Sequence, residues 1–148
     1  MLTMNKKMSH ALHSINRDIK VLPPELSTLI EQGFCIRDGC ILLAALADQG
    51  TNVTLHDFPD KTGYECFINS FHVEDYVKND YLSYAYLFVE VLLNAWVTLN
   101  KNDRATAIVS SDESGTVVKL HVSREGESWL ADNLEGYEEA ILMVDSAS

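Results

Sequence analysis

Near residue 104 the spacing of apolar positions changes from helical to alternating, and this change divides the chain. Before it, Pro23-Pro24 opens a helix carried by Leu26, Leu29 and Ile30, with Gly33 placed as its C-terminal cap. Asp38 is placed to cap a second helix through Ile41, Leu42, Ala45 and Leu46, ending near Gly50. Residues 51–63, with Asp57, Pro59 and Asp60, read as loop, and a short helix is expected from Tyr64 to Phe71. From Asp80 to Leu99 runs a long helix whose polar residues Ser83, Glu90, Asn94 and Thr98 form one narrow stripe. Nearly everything else on it is apolar or Tyr, which calls for burial on most sides.

Beyond residue 104, Arg104–Ser110, a turn at Ser111–Gly115 and Thr116–Ser123 make a hairpin. Val118, Leu120 and Val122 face one way in it, and Val117, Lys119, His121 and Ser123 the other. A short helix from Ser128 to Leu134, closed by Gly136, leads to Ala140–Val144, an apolar run suited to a central strand covered on both faces. Helices first and strands last predict an α+β fold: a helical N-terminal two thirds packed on a small C-terminal antiparallel sheet of about three strands. The length fits a single domain over residues 1–148, with the weakly patterned residues 1–8 disordered.

Composition adjusts this picture at two points. Residues 81–99 approach the length of a membrane-spanning helix, but Glu90 at their centre would cost about 2.5–3.5 kcal/mol in a bilayer. A buried helix in a soluble core is expected instead, with no membrane partner. Cys35, Cys40 and Cys66 are too few, and odd in number, for a disulfide scaffold. Reduced thiols in a cytoplasmic protein fit them. Lys6-Lys7 is followed by no apolar stretch, so export by a signal peptide is not indicated.

Charge changes the picture more. The chain holds 22 Asp and Glu against 11 Lys and Arg, a net charge of −11. The first fifty residues balance, so the excess belongs to the later two thirds. It is densest in Glu125, Glu127, Asp132, Glu135, Glu138 and Glu139, which run without an intervening Lys or Arg and enclose Trp129 and Tyr137. Aromatic anchors within a charged rim are what a protein interface uses, the carboxylates steering the encounter. The bland alternative is a solvated acidic face with both aromatics in the core. Direct nucleic-acid binding is disfavoured, because a phosphate backbone selects a basic surface.

Other constellations are weaker. Cys35, Cys40, Cys66 and His72 sketch a zinc site, but helical residues five apart do not share a face, so no metal is expected. Cys66 with His72 or His56 is a formal nucleophile pair. His10 and His13 share a helical spacing and read as solvated. Asp57 and Asp60 suit turn chemistry better than calcium. Neither a phosphate-binding glycine loop nor a hydrolase elbow is present, and no cofactor is expected.

A small, acidic α+β domain with no active-site signature resembles bacterial immunity proteins in physical type, though it shares no motif with them. The resemblance implies a binding module that neutralises a basic protein, such as a toxin or nuclease, by covering its active site. Carboxylates would lie where substrate phosphates go, with Trp129 and Tyr137 as anchors. Two alternatives remain: a DNA mimic with acids along an elongated surface, and a small enzyme or ligand-binding domain with a pocket near Glu90.

Overall fold

Alternation in residues 105–122 seeds the larger sheet, and the apolar helix before it supplies the layer that covers one face. The fold is a computed structural model that describes residues 1–100 and 102–146; Lys101, Ala147 and Ser148 lie outside the described residues. In chain order the elements are β1 (Leu2–Met4), α1 (Lys6–Ala11), α2 (Pro24–Glu31), β2 (Phe34–Arg37), β3 (Cys40–Leu43) and α3 (Ala44–Ala47). They continue with α4 (Lys61–Ile68), β4 (Ser70–His72), α5 (Tyr81–Leu99), β5 (Ala105–Asp112), β6 (Gly115–Val122) and β7 (Ala140–Asp145). One sheet has five strands in the order β1-β7-β5-β6-β4, every pair antiparallel, and β2-β3 forms a second sheet of two strands.

This arrangement corrects the expected one. The fold is mixed α+β, but no helical N-terminal two thirds packs on a three-stranded C-terminal sheet. Four strands lie in the first 72 residues, and two of them, β1 and β4, close the two ends of the large sheet. Residues 1–8, expected without order, form β1 and enter α1, where the buried Asn5 accepts the Met8 N–H as a helix cap.

The helix expected from Asp38 is a hairpin. Asp38 and Gly39 both take positive φ, 53° and 78°, and Arg37 pairs with Cys40 across them. An Asp-Gly pair with both residues left-handed is the tight turn whose twist matches two antiparallel strands. Ile41 and Leu42 therefore extend in β3, and only Ala44–Ala47 coil into α3. Ser128–Leu134 is likewise irregular, with a single 3-10 turn at Leu134–Gly136. The helix expected over Tyr64–Phe71 lies three residues earlier, because Asp60 accepts the Gly63 N–H and starts α4 at Lys61.

The long helix, the turn and both strands of the β5-β6 hairpin form as the pattern demands. On α5, Ala85, Phe88, Val89, Leu92, Leu93 and Trp96 turn onto the sheet. There they meet Ala107 and Val109 of β5, Val118 and Leu120 of β6, and Leu142 of β7. Phe88 packs edge-on against Phe71 of β4, and Trp96 against Phe34 of β2, so α5 touches both sheets. By length and composition α5 could cross a membrane, but its apolar side is the one that covers the sheet. Ser83 does not join the exposed stripe; it is buried and accepts the Asn16 N–H.

The two sheets never pair strand to strand. Between the edges of β3 and β6 lie two side chains one helical turn apart on α4, Glu65 and Asn69. Glu65, with no exposed surface, accepts Ile41 N–H from β3 at 2.7 Å and Val122 N–H from β6 at 2.9 Å. Asn69 accepts Leu43 N–H and donates to Ile41 O and Leu120 O, while its own carbonyl takes Leu120 N–H. Arg124, immediately beyond β6, closes the Glu65 site with two contacts of 2.8 Å, one to each carboxylate oxygen. Its guanidinium is held above its ordinary pKa first by the hydrogen bonds to Glu65.

Breaking one partner of a buried charged pair strands the other, at about 3–5 kcal/mol. Glu65→Ala and Arg124→Ala should each lower the free energy of urea unfolding by about that amount, and the double variant should lose less than the sum. A loss below about 1 kcal/mol for Glu65→Ala, the level of a surface pair, would show that the bridge is not structural.

Candidate functional site

The eight acidic and aromatic residues singled out in the sequence lie on the segment Arg124–Glu139, which crosses the sheet face opposite α5. That face carries Thr3, Thr106, Ile108, Lys119, His121, Ile141 and Met143, as strand alternation requires. Ile108 and Ile141 are 2% exposed and His121 6%, so the second face is covered as well.

Several of the expected interface residues are fasteners. Glu127 accepts Thr62 N–H and Oγ1–H, at 3.1 and 2.8 Å, in the first turn of α4. Burial pushes its carboxyl up, but the Thr62 bonds, with Arg124 and Lys61 nearby, hold it below its usual value. Glu135 accepts the Lys6 N–H at the start of α1. Tyr137 accepts Ala131 N–H at its hydroxyl, 2.9 Å, and so braces the segment instead of anchoring a partner. Asn5 ties the C-terminal end: its amide donates to Leu134 O and Glu139 O, and its side-chain oxygen takes Ile141 N–H. Lys7 donates to the Glu138 carbonyl.

The remainder points outward. The side chains of Glu125, Asp132 and Glu138 are exposed and, among the described residues, have no hydrogen-bond or ion-pair partner. Trp129 is 42% exposed, with Lys119 Nζ 5.5 Å from its ring centroid. Burial lowers the pKa of Lys119, whose ammonium also donates to Ser70 Oγ. An aromatic face over a cation is thereby fixed in orientation while its other side stays open.

Four of the six acids line two separate clefts. Glu127 and Asp132 share with Trp129 a cleft of about 360 Å³ floored by Thr106, His121 and Met143. Glu138 and Glu139 instead line a separate cleft of about 640 Å³ with Asp112 and Glu113 from the tip of the β5-β6 hairpin. Glu74 stands beside that tip, accepting Thr116 N–H and pairing with His72 at 3.3 Å. Burial pushes its carboxyl up, and these bonds bring it below its usual value.

The other candidates separate. Cys35 and Cys40 lie on neighbouring strands of the β2-β3 hairpin, so the helical argument against a shared face does not apply to them. Among the described residues, however, no group of three or more His, Cys, Asp or Glu side chains could hold a metal ion. Burial pushes the Cys66 thiol up to about 12, while His72 bonds Glu74; a nucleophile needs the opposite shift and a paired base. His10 and His13 are exposed, their rings edge-on at 6.4 Å. Asp57 closes a capping box with Thr54, and Asp60 caps α4. Glu90 is exposed on the rim of a groove of about 670 Å³ between α5 and the β1-β7 edge, and its carboxylate bonds none of the described residues.

Sequence reasoning missed Asn5, Glu65, Asn69, Lys119, His121 and Arg124. One signal was available: Lys119 and Arg124 are the two cations between residues 105 and 139, amid eight acids. An isolated cation inside an acidic stretch is a good candidate for an internal counter-charge.

Residues 3–148 match the family described as the Uncharacterized protein PM0498 family, and the chain belongs to it. It is similar to Uncharacterized protein PM0498 of Pasteurella multocida (strain Pm70), 29% identical over 140 residues that span 86% of this chain and 87% of that protein. No solved structure matches it.

His121 donates to Val122 O at 2.8 Å when its proton is on Nδ1, and burial is the main cause of its lowered pKa. As pH falls, the unfolded chain therefore takes up the proton first. Stability should be intact above about pH 6.5 and decline below it toward the folded-state value. The urea midpoint of the wild-type protein should drop between about pH 7.5 and 5.5, and that of His121→Gln should drop less; equal losses would acquit His121. In thiol titration, the half-buried Cys35 should react rapidly, and the buried Cys40 and Cys66 only after denaturation. Rapid labelling of Cys66 in the native protein would contradict its placement.

Proposed function

We propose that this protein is an acidic protein-binding module of the inhibitor type, which neutralises a basic partner such as a toxin or nuclease by covering its functional surface. The observation that carries the reading is the division of labour along Arg124–Glu139. Glu127, Glu135 and Tyr137 fasten the segment from within, while Trp129, Glu125, Asp132 and Glu138 are left free to meet a partner. A surface held in place before binding loses little freedom on association, which is where much of the cost of binding lies.

The net charge of −11 supplies the rest of the mechanism. Unpaired carboxylates raise the encounter rate with a cationic surface and repel anionic competitors. Trp129, already oriented by Lys119, offers the desolvated contact that charge alone does not give. The reading assigns the chain no catalysis. Its three free thiols, two of them buried, suit a reducing compartment such as the cytoplasm.

The test is capture of a basic protein from host extract by the immobilised full chain, followed by association kinetics with the captured protein. Reversing Glu125, Asp132 and Glu138 to Lys should abolish capture, and Trp129→Ala should raise the dissociation rate. The charge-reversed variant should keep a thermal midpoint close to that of the wild type, since those three side chains hold nothing in the fold. Capture that survives the charge reversal, or an on-rate indifferent to ionic strength, would overturn the reading.

A further inference from the structure

Strand β1 ends the large sheet, and among the described residues its outer side carries no further strand. Asp145 N–H bonds Met1 O and Asn5 N–H bonds Ile141 O, so the odd-numbered positions of β1 face β7. Antiparallel alternation then turns the backbone N–H and C=O groups of Leu2 and Met4 outward. Side chains of the same strand alternate between the two faces. Leu2 lines the groove of about 670 Å³ beneath α5, and Thr3 lines the cleft of about 360 Å³ beneath Trp129. Two concave surfaces on opposite faces of the sheet thus reach the same open edge.

Their chemistries differ. The groove is floored by Val89, Leu93, Val97 and Leu142; of its two acids, Asp145 is paired with the Met1 ammonium at 2.7 Å and Glu90 stands on the rim. The cleft has apolar walls from Trp129, Leu134 and Met143, but it also holds two carboxylates, Glu127 and the exposed Asp132; its one Lys or Arg, Arg124, is already committed to Glu65. An extended chain laid along β1 would send alternate side chains into each. A second copy of this protein would bring a further charge of −11 to an edge already bordered by acids, which opposes self-association.

We propose that the β1 edge receives an extended segment of the basic partner protein as a sixth strand, with apolar side chains in the α5 groove and alternating Lys or Arg side chains in the Trp129 cleft. The choice of a basic partner rests on the function proposed above; the strand-addition geometry goes beyond it. Main-chain hydrogen bonds to Leu2 and Met4 fix the segment's register, and the two clefts read its alternation.

The probe is a synthetic peptide of about ten residues, long enough for one strand, that alternates Val and Lys. Its control has the same composition with the Val and Lys residues in two blocks. Titrated against the full chain, the alternating peptide should bind and slow the exchange of the Leu2 and Met4 amides. The block peptide should bind at least about tenfold more weakly. Val97→Lys, at a groove position 42% exposed, should weaken binding by a similar factor without lowering the thermal midpoint. So should Leu2→Pro, which removes an outward donor that the ladder does not use. Equal affinity for both peptides, no binding, unchanged amide exchange, or affinity untouched by either variant would overturn the proposal, as would dimerisation of the chain through β1. Failure of the peptide alongside charge-dependent capture of a basic protein would reject strand addition and leave the binder reading standing.

Discussion

A carboxylate with no exposed surface joins the two sheets of this protein. Glu65 accepts one backbone N–H from β3, one from β6 and both arms of Arg124, so it ties β3 at Ile41 to the end of β6 at Val122 and to Arg124 just beyond it. A charge in that position is tolerable only because four donors replace its water. The same four bonds set the distance between β3 and β6, and Asn69, one turn later, repeats the arrangement for the next backbone groups along both strands. Helix α4 therefore does what a missing strand would do. Without it, the edges of two sheets would be buried with their hydrogen-bonding groups unpaired.

From that junction the functional surface follows. Arg124 is both the last member of the Glu65 site and the first residue of the acidic segment, so the segment leaves the junction in a fixed direction. Glu127 then returns to the first turn of the same helix through Thr62, and Asn5 fastens the far end next to β7. Between these points the segment has little freedom, although it contains only a single 3-10 turn of regular structure. Its stiffness comes from side chains bonding backbone. That is why Trp129 can stand partly exposed without folding back into the core.

Charge plays two opposed parts here. Inside, Glu65 is matched by Arg124, and Lys119 is held under an aromatic ring and bonded to Ser70. Outside, Glu125, Asp132 and Glu138 have no partner among the described residues, and such unpaired carboxylates produce long-range attraction for a basic surface. The same residue types in the same short stretch thus serve stability and recognition, and only their position relative to the sheet separates the two.

The sequence by itself determined what periodicity and turn chemistry can carry. The apolar run of α5, the alternation of β5 and β6 and the apolar strand β7 each point so plainly to burial that few alternatives compete. Asp38-Gly39 was equally legible as a tight hairpin turn, but the apolar spacing after it also fits a helix, and that local ambiguity misplaced β2 and β3. The tertiary structure alone decided how the pieces join. Three-residue strands such as β1 and β4 carry too little pattern to announce themselves, and they exist because β7 and β6 offer them an edge. Nor could the acidic run disclose that Glu127 and Glu135 bond inward while Asp132 and Glu138 do not. A carboxylate reads the same in a sequence whether it faces solvent or, as Glu127 does, the N–H of a residue as distant as Thr62, and only the fold brings that donor to 3.1 Å.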